Sequence, residues 1–371
     1  MTRRTFAGTT GSAMMLQSAQ VAGSQANSAI RMGLIGCGGR GTEVAALFAR
    51  DDRVRFTALC DVRAEQMDAA APKLKAAPAK RYRDHRELLQ SDLDAVLIAT
   101  PVYQHPEHLE AAVLAGKHVY CEKPAAVDVE GCRRIMRAGR NASSAQCITF
   151  GFQNRYGPGY LKAEKLIQSN AIGMIKMARS SWIASTGIGK RKRAPVPPDQ
   201  EKQIYWNAWK QYSGDFIVEQ DVHGVDVVNW FLGSVPLKAY GTGGRMLRTY
   251  GDNMDHLNVT FVYPSGVHAA LTATQFGPNG YRVVSETFIG TEGVIETQRQ
   301  SLWVYKNAQE VALEKIEKSI TENAVEQFVR RVLEKQPENT AVRAAESTLT
   351  SILGRMAIEQ KREVAWRELL V

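Results

Sequence analysis

Three groups of residues in this chain have types and spacings suited to chemistry. The first is Glu122-Lys123-Pro124, which ends the β-branched and aromatic run His118-Val119-Tyr120-Cys121. Two opposite charges and a proline are poor packing material at a strand end. A lysine there supplies a cation and three donors, enough to hold a hydroxyl and to stabilise the alkoxide that forms as hydride departs. The proline rigidifies the loop and admits a cis bond. Position alone does not separate this from a solvated Glu–Lys pair at a turn. The second group is Gly36-x-Gly38-x-x-Gly41, with Gly39 and Arg40 inside it. The first glycine permits a tight turn, the second lets backbone approach a pyrophosphate, and the third allows close helix–strand packing. The helix N-terminus that follows attracts negative charge. Asp61 lies twenty residues beyond Gly41, where a carboxylate can bind the ribose diol of an adenine nucleotide. It would repel a 2′-phosphate, which favours NAD; Arg63 and Arg40 could offset the repulsion, which leaves NADP open.

The third group is Glu219 and His223, four residues apart in a stretch from Ser213 to Trp230 that reads as one glycine-led helix. At that spacing they share a face. A carboxylate beside an imidazole raises its basicity and fixes its orientation, which makes a general base. The competing reading is a packed helix histidine. Asp221 should point elsewhere, and Asp226 should serve structure. Asn154, Arg155 and Tyr156, with Tyr205, Trp206 and Trp209, are further candidates to reach a substrate; aromatic faces suit sugar C–H surfaces. A core role fits the tryptophans equally.

The elements that must position these groups follow from patterning. Strand-like runs at 31–36, 54–61, 93–100, 118–121 and 146–150 alternate with helical patterns. That alternation predicts a doubly wound parallel sheet, an N-terminal Rossmann domain over 31–150. Leu93–Thr100 is a continuous apolar run apart from Asp94 and the closing Thr100, as suits a central strand buried on both faces. In such a sheet ligands bind beyond the carboxyl ends of the strands, which places Thr100-Pro101 and Glu122-Lys123 at one crevice. Beyond residue 150 a helix precedes several strands, with Pro264-Ser-Gly266 as a hairpin turn. Residues 151–371 are therefore expected to form an α+β domain with a large, mostly antiparallel open sheet and a helical tail.

Gly-x-Gly-x-x-Gly, the acid at the second strand and Glu122-Lys123-Pro124 together resemble the Gfo/Idh/MocA family, the relatives of glucose–fructose oxidoreductase and inositol dehydrogenase. The resemblance runs over about residues 31–371 and includes Ser347-Thr-Leu-Thr-Ser-Ile-Leu-Gly-Arg355. It implies an NAD-dependent oxidoreductase acting on a carbohydrate or polyol. Glu122 would touch the nicotinamide ribose and Lys123 would act at the substrate. The segment from Ala99 through Thr100 and Pro101 to His105 would line the cofactor pocket. An open sheet that supports a homodimer or homotetramer is implied too. Family members commonly carry aspartate four residues before the histidine; Glu219 departs from that pattern. Some relatives cleave glycosides by transient oxidation and elimination, and a cofactor-bound sugar sensor without catalysis is a third reading. The outcome of sugar assays separates the three.

Composition narrows the rest. Among 371 residues, 44% are apolar and 23% charged, with a net charge of +9, ordinary for a globular chain of two domains. The basic residues are dispersed apart from Lys190–Arg193, and no nucleic-acid motif accompanies that cluster, so nucleic acid is not the expected partner. No run of apolar residues is long enough to span a membrane. The five cysteines, Cys37, Cys60, Cys121, Cys132 and Cys147, have no metal spacing and are expected as buried small hydrophobes without disulfides or metal. At the N-terminus Arg3-Arg4 precede Phe6 and a weakly apolar stretch, with no acid before Glu43. Residues 1–30 thus resemble a twin-arginine export signal, or an arm if retained. Periplasmic or secreted localisation is the expectation, with the cofactor taken up before export.

Overall fold

The computed structural model describes residues 29–370 apart from 77, 186–195, 199, 279, 307–308 and 314–317. The export-signal expectation (residues 1–28 of it) and the Lys190–Arg193 cluster lie outside the described residues.

Six short strands form the first sheet: β1 (Ile30–Ile35), β2 (Val54–Cys60), β3 (Lys80–Tyr82), β4 (Ala95–Ile98), β5 (His118–Cys121) and β6 (Ile148–Phe150). Their order is β3-β2-β1-β4-β5-β6, and every pairing is parallel. This is the doubly wound order, and the strand order reverses between β1 and β4. The apolar β4 is buried throughout, as a strand covered on both faces must be. Helices α1 (Gly39–Phe48), α2 (Ala64–Ala70), α3 (His85–Leu89), α4 (His105–Leu114) and α5 (Val129–Asn141) are the crossovers. Asp128 caps α5 by accepting from the Gly131 N–H at 2.7 Å, satisfying one donor the first turn leaves open.

The second sheet has nine strands in the order β14-β13-β12-β11-β7-β10-β9-β8-β15. They are β7 (Ile175–Ala184), β8 (Lys238–Gly244), β9 (His256–Val262), β10 (His268–Thr274), β11 (Arg282–Gly290), β12 (Val294–Gln298), β13 (Ser301–Lys306), β14 (Gln309–Leu313) and β15 (Val364–Ala365). All pairings are antiparallel except β7 with β10. Strands β9 and β10 alternate buried and accessible residues, the mark of a sheet with one covered face. The longer helices of this half are α6 (Pro158–Gln168), α8 (Val222–Leu232), α9 (Ile320–Leu333) and α10 (Ala341–Gln360), and the single turn α7 (Phe216–Glu219) precedes α8. The hairpin at Pro264–Gly266 is present, closed by the Tyr263 N–H to Val267 O at 2.9 Å, with Gly266 at φ 76°.

The boundary expected between 150 and 151 separates the two sheets, and packing crosses it. Ala324, Val325, Phe328 and Val329 of α9 join the core of the first sheet beside Met32, Leu34, Val44 and Phe48. All five cysteines are buried and free. The run Ile172–Trp182, to which the sequence pattern assigns no element, supplies β7 at the middle of the second sheet. Its exposed Lys176 and Arg179 and its buried but polar Ser180 and Ser181 hide the strand in the sequence.

Candidate active site

The crevice lies where the strand order reverses in the first sheet. Gly36 follows β1 with φ 94°, a conformation that L side chains rarely adopt, and a Cβ there would stand 2.7 Å from the Ala99 carbonyl. Gly41 lets α1 press on the turn, since its Cβ would lie 1.9 Å from Gly36 O. At Gly38 and Gly39 a Cβ would meet no protein atom within 4 Å. Those two positions bare the backbone at the N-terminus of α1, where Gly38 offers no side-chain cap. A cleft of about 560 Å³ opens in front of them, lined also by Asp61, Thr100, Pro101 and Trp206. Open space over bare amides at a helix N-terminus fits a pyrophosphate. The Asp61 carboxylate accepts from the N–H groups of Cys37 (2.8 Å) and Arg63 (2.9 Å), which fixes it at the mouth of the cleft. The two arginines that could offset a 2′-phosphate are engaged: Arg63 Nε with Glu65 at 2.7 Å, and Arg40 with Glu122.

A second cleft of about 320 Å³ continues from the first. Arg40, Thr100, His105, Glu122, Lys123, Gln153, Trp182, Trp206, Glu219, His223 and Arg299 line it, among others. Glu122 is 4% exposed. Its Oε1 accepts from Arg40 Nε at 3.0 Å, with Arg40 Nη2 at 2.9 Å. Gly151, just past β6, gives that carboxylate room, because a Cβ there would stand 2.9 Å from Glu122 Oε2. The Lys123–Pro124 peptide is cis. His105 spans two loops: its Nδ1 lies 2.8 Å from Pro124 O and its Nε2 3.0 Å from Thr100 O. Burial pushes its pKa below the usual imidazole range and the two carbonyl contacts oppose that shift, while the ring braces the Thr100 segment against the Pro124 turn.

The expected Glu219–His223 pair is not formed. The stretch breaks at Gln220-Asp221 into α7 and α8, and the four-residue rule holds only within one continuous helix. Glu219 turns instead to Lys123, whose Nζ lies 3.2 Å from Glu219 Oε1 and also donates to the Glu219 carbonyl. His223 is 4% exposed, and its Nδ1 has no hydrogen-bond partner among the described residues. Burial first, and the nearby Lys123 charge second, hold its pKa well below the usual imidazole range. The imidazole is thus neutral at neutral pH, which is the form a general base needs. Its ring lies nearly parallel to the Trp182 indole, with centroids 6.3 Å apart and 13° between planes. Asp221 is buried, with neither carboxylate oxygen partnered among the described residues. Burial and the adjacent Glu219 push its pKa well up, so it favours the protonated acid.

Arg155 and Tyr156 are not brought to this cleft. Arg155 Nε donates to Asp226 Oδ2 at 2.8 Å and Nη2 to Oδ1 at 2.9 Å, and Arg155 and Tyr156 line a separate cavity beside α9. Asp226 is fully buried and also accepts from Ser347 Oγ at 2.7 Å. Among the aromatic candidates Trp206 lines both clefts, while Tyr205 and Trp209 pack edge-on against Tyr250. Sequence reasoning missed Trp182, Gln153, Gly151 and Arg299. Trp182 and Arg299 belong to the second sheet, and no local motif marks a residue that reaches a site from a distant strand.

The stretch Ser347–Arg355 explains how the site is held together. Thr348 Oγ1 accepts from the Ala125 N–H at 3.0 Å, and Thr350 Oγ1 accepts from Asn229 Nδ2 at 2.9 Å. Arg355 Nη1 donates to Val127 O at 3.1 Å and to Gly214 O at 2.8 Å. Through Thr348 and Arg355 on one face and Thr350 on another, α10 thereby ties the Lys123 loop to the His223 helix.

Two family models match this chain. The model described as "Oxidoreductase family, NAD-binding Rossmann fold" matches residues 30–150, and the "GFO/IDH/MocA C-terminal domain" matches residues 160–296. Among characterised relatives, an inositol 2-dehydrogenase of Klebsiella pneumoniae (strain 342) is 35% identical over 206 residues, covering 55% of this chain and 54% of that protein. A 2,7-anhydro-N-acetylneuraminate hydratase of Escherichia coli (strain K12) is 28% identical over 282 residues, covering 73% of this chain and 68% of that protein. The alignable region thus spans about half to two thirds of these relatives' lengths. A levoglucosan dehydrogenase in complex with NADH and L-sorbose superposes with a TM-score of 0.79 at 18% identity, over 92% of this chain and all of that one, a likeness of fold. With both its sheets matched by one family, and with an NAD-binding Rossmann cleft whose bare glycines and Asp61 fit the dinucleotide, the chain belongs to the Gfo/Idh/MocA family of oxidoreductases.

Proposed function

We propose that this protein is an NAD-dependent dehydrogenase of a sugar or cyclic polyol hydroxyl. The observation that carries the reading is the convergence of Lys123 and a neutral, buried His223 on one small cleft that runs on from the dinucleotide cleft. Gly36, Gly38, Gly39, Gly41 and Asp61 would hold the adenosine and pyrophosphate half of NAD, and Thr100, Pro101 and Glu122 its nicotinamide half. Bound nicotinamide supplies the hydride acceptor. As the substrate carbon gives up hydride, its hydroxyl must lose a proton. Lys123 Nζ, already held by Glu219, donates to that oxygen and stabilises the growing alkoxide charge. His223 takes the proton, entering the reaction neutral and becoming a cation only as it does so. Trp182, Trp206 and Val102 line the cleft and offer apolar faces to a ring. The relatives named as inositol and levoglucosan dehydrogenases support a cyclic polyol or pyranose substrate.

The test is to purify the protein, identify the co-purified nucleotide and its redox state, and assay NADH formation with a panel of sugars and inositols. Full activity in Lys123→Ala would overturn the mechanism. Glycoside cleavage with no net NADH would replace oxidation with redox-assisted elimination.

Export and self-association belong to the same proposal. Arg3-Arg4 ahead of Phe6 supports twin-arginine export, tested by N-terminal mass spectrometry of periplasmic protein. The accessible face of the second sheet, where Met177 and Ile289 pair across β7 and β11, supports a homo-oligomer, tested by light scattering.

A further inference from the structure

The charged residues of the 320 Å³ cleft are Arg40, Lys123, Arg299, Glu122 and Glu219. Two of the three cations are matched one to one: Arg40 by Glu122 and Lys123 by Glu219. The third, Arg299, sits in the turn between β12 and β13 and makes no hydrogen bond or ion pair with any described residue. Its guanidinium carbon stands 5.6 Å from the centre of the Trp182 ring, and the same indole lies parallel to His223. Glu286, buried beneath the same strands, is taken by Tyr160 (3.2 Å) and Thr297 (2.9 Å) rather than by Arg299. Among the arginine, lysine and glutamate side chains lining the cleft, three cations therefore face two carboxylates, an excess of one positive charge. Burial, helped by the neighbouring Arg282 and Arg40 charges and opposed by Tyr160 and Glu286, draws Arg299 below the usual guanidinium range.

We propose that Arg299 is a specificity-determining residue that binds a carboxylate on the substrate, so that the natural substrate is a sugar acid of the uronate class rather than a neutral sugar. The proposal rests on the dehydrogenase reading above for the reaction, but not for the binding. A planar guanidinium fixed on an indole face presents paired N–H donors, and carboxylate is the planar group that accepts them two at a time. A single positive charge suits a monoanion better than a phosphate dianion. The volume is at the low end of the roughly 300–1,000 Å³ usual for small-molecule pockets, which suits one pyranose ring. Arg299 reaches the cleft from the second sheet and Lys123 from the first. A carboxylate on Arg299 would therefore orient the ring by one end while Lys123 and His223 address a hydroxyl elsewhere on it.

The experiment uses the full-length, NAD-loaded protein with matched pairs: glucuronate against glucose, galacturonate against galactose, and glucose 6-phosphate as the dianion. The expected result is a uronate preference of about 30-fold in kcat/KM, carried by KM, the order expected for one charge-assisted bidentate contact. The ratio of uronate to neutral sugar collapses towards one in Arg299→Gln and partly recovers in Arg299→Lys. A wild-type ratio near one, an unaltered ratio in Arg299→Gln, or a preference for the phosphate ester overturns the proposal. If no sugar of any class reduces NAD, the dehydrogenase reading fails on its own, and calorimetric titration of glucuronate decides the carboxylate site. Saturable binding that Arg299→Gln abolishes sustains it; no binding, or equal binding by the variant, overturns it.

Discussion

Lys123 and Glu219 meet across the junction of the two sheets, Nζ to Oε1 at 3.2 Å. Lys123 comes from the end of β5 and Glu219 from the last turn of α7, so neither sheet alone holds the lysine in place. Both are largely shielded from solvent, where a pair counts for more than on the surface. Lys123→Ala is expected to lower kcat by about 10²–10⁴-fold, the range for loss of an acid–base or oxyanion group. Nucleotide affinity should change little, as read by titration of NAD against tryptophan fluorescence. Glu219→Gln keeps an acceptor for Nζ and is expected to fall between Lys123→Ala and wild type.

His223 is held neutral by burial and by the Lys123 charge. The pH profile of kcat/KM is therefore expected to pass level through about 6.5, where an ordinary imidazole titrates. An acid limb centred there in wild type, and missing in His223→Asn, would show an ordinary, solvated histidine instead. His223→Asn itself is expected to lose about 10²–10⁴-fold in kcat.

Glu286 supplies a separate pH signature. Burial raises its carboxyl to about 7, above its unfolded value of about 4.3. The folded state therefore binds the proton more tightly, and the stability this contributes is present below the unfolded pKa and is lost as pH rises towards 7. Glu286→Gln removes that loss. The melting-temperature difference, variant minus wild type, is expected to grow between pH 5 and pH 8, by an amount corresponding to up to about 3 kcal/mol. A constant difference would place the Glu286 titration at its unfolded value.

The glycine turn yields a contrast between two alanine variants. Gly41→Ala sets a Cβ 1.9 Å from Gly36 O and is expected to destabilise the fold by about 3 kcal/mol or more. Gly38→Ala meets no protein atom within 4 Å, so it should fold normally and bind NAD about tenfold or more weaker, by intruding where the pyrophosphate lies. Thermal melts and NAD titration of both proteins test the pair. Equal losses of stability would remove the distinction.

Thr348 provides a test at a distance. Its Oγ1 accepts the Ala125 N–H just past the Lys123–Pro124 turn. Thr348→Val keeps the shape and strands a buried donor, at a cost of about 1–3 kcal/mol. Loosening of the Lys123 loop should lower kcat more than it raises the KM for NAD, and Thr348→Ser should recover most of both.

Much of this protein was legible in its sequence, because it depends on short-range physics. A continuous apolar strand, a glycine turn before a helix and an acid twenty residues on are local patterns. They suffice for the doubly wound sheet, for the placing of Gly36–Gly41, Asp61, Thr100 and Glu122-Lys123 at its carboxyl edge, and for the family. The tertiary structure decided the rest. Glu219 serves Lys123 rather than His223 because the helix breaks at Gln220-Asp221, and periodicity cannot register a two-residue break between apolar turns. Arg155 is claimed by Asp226, 71 residues on, so its chemistry is spent in the core. Trp182, Gly151 and Arg299 come to the site from segments far apart in the chain, and only the packing of one sheet against the other sets which side chains share a cleft.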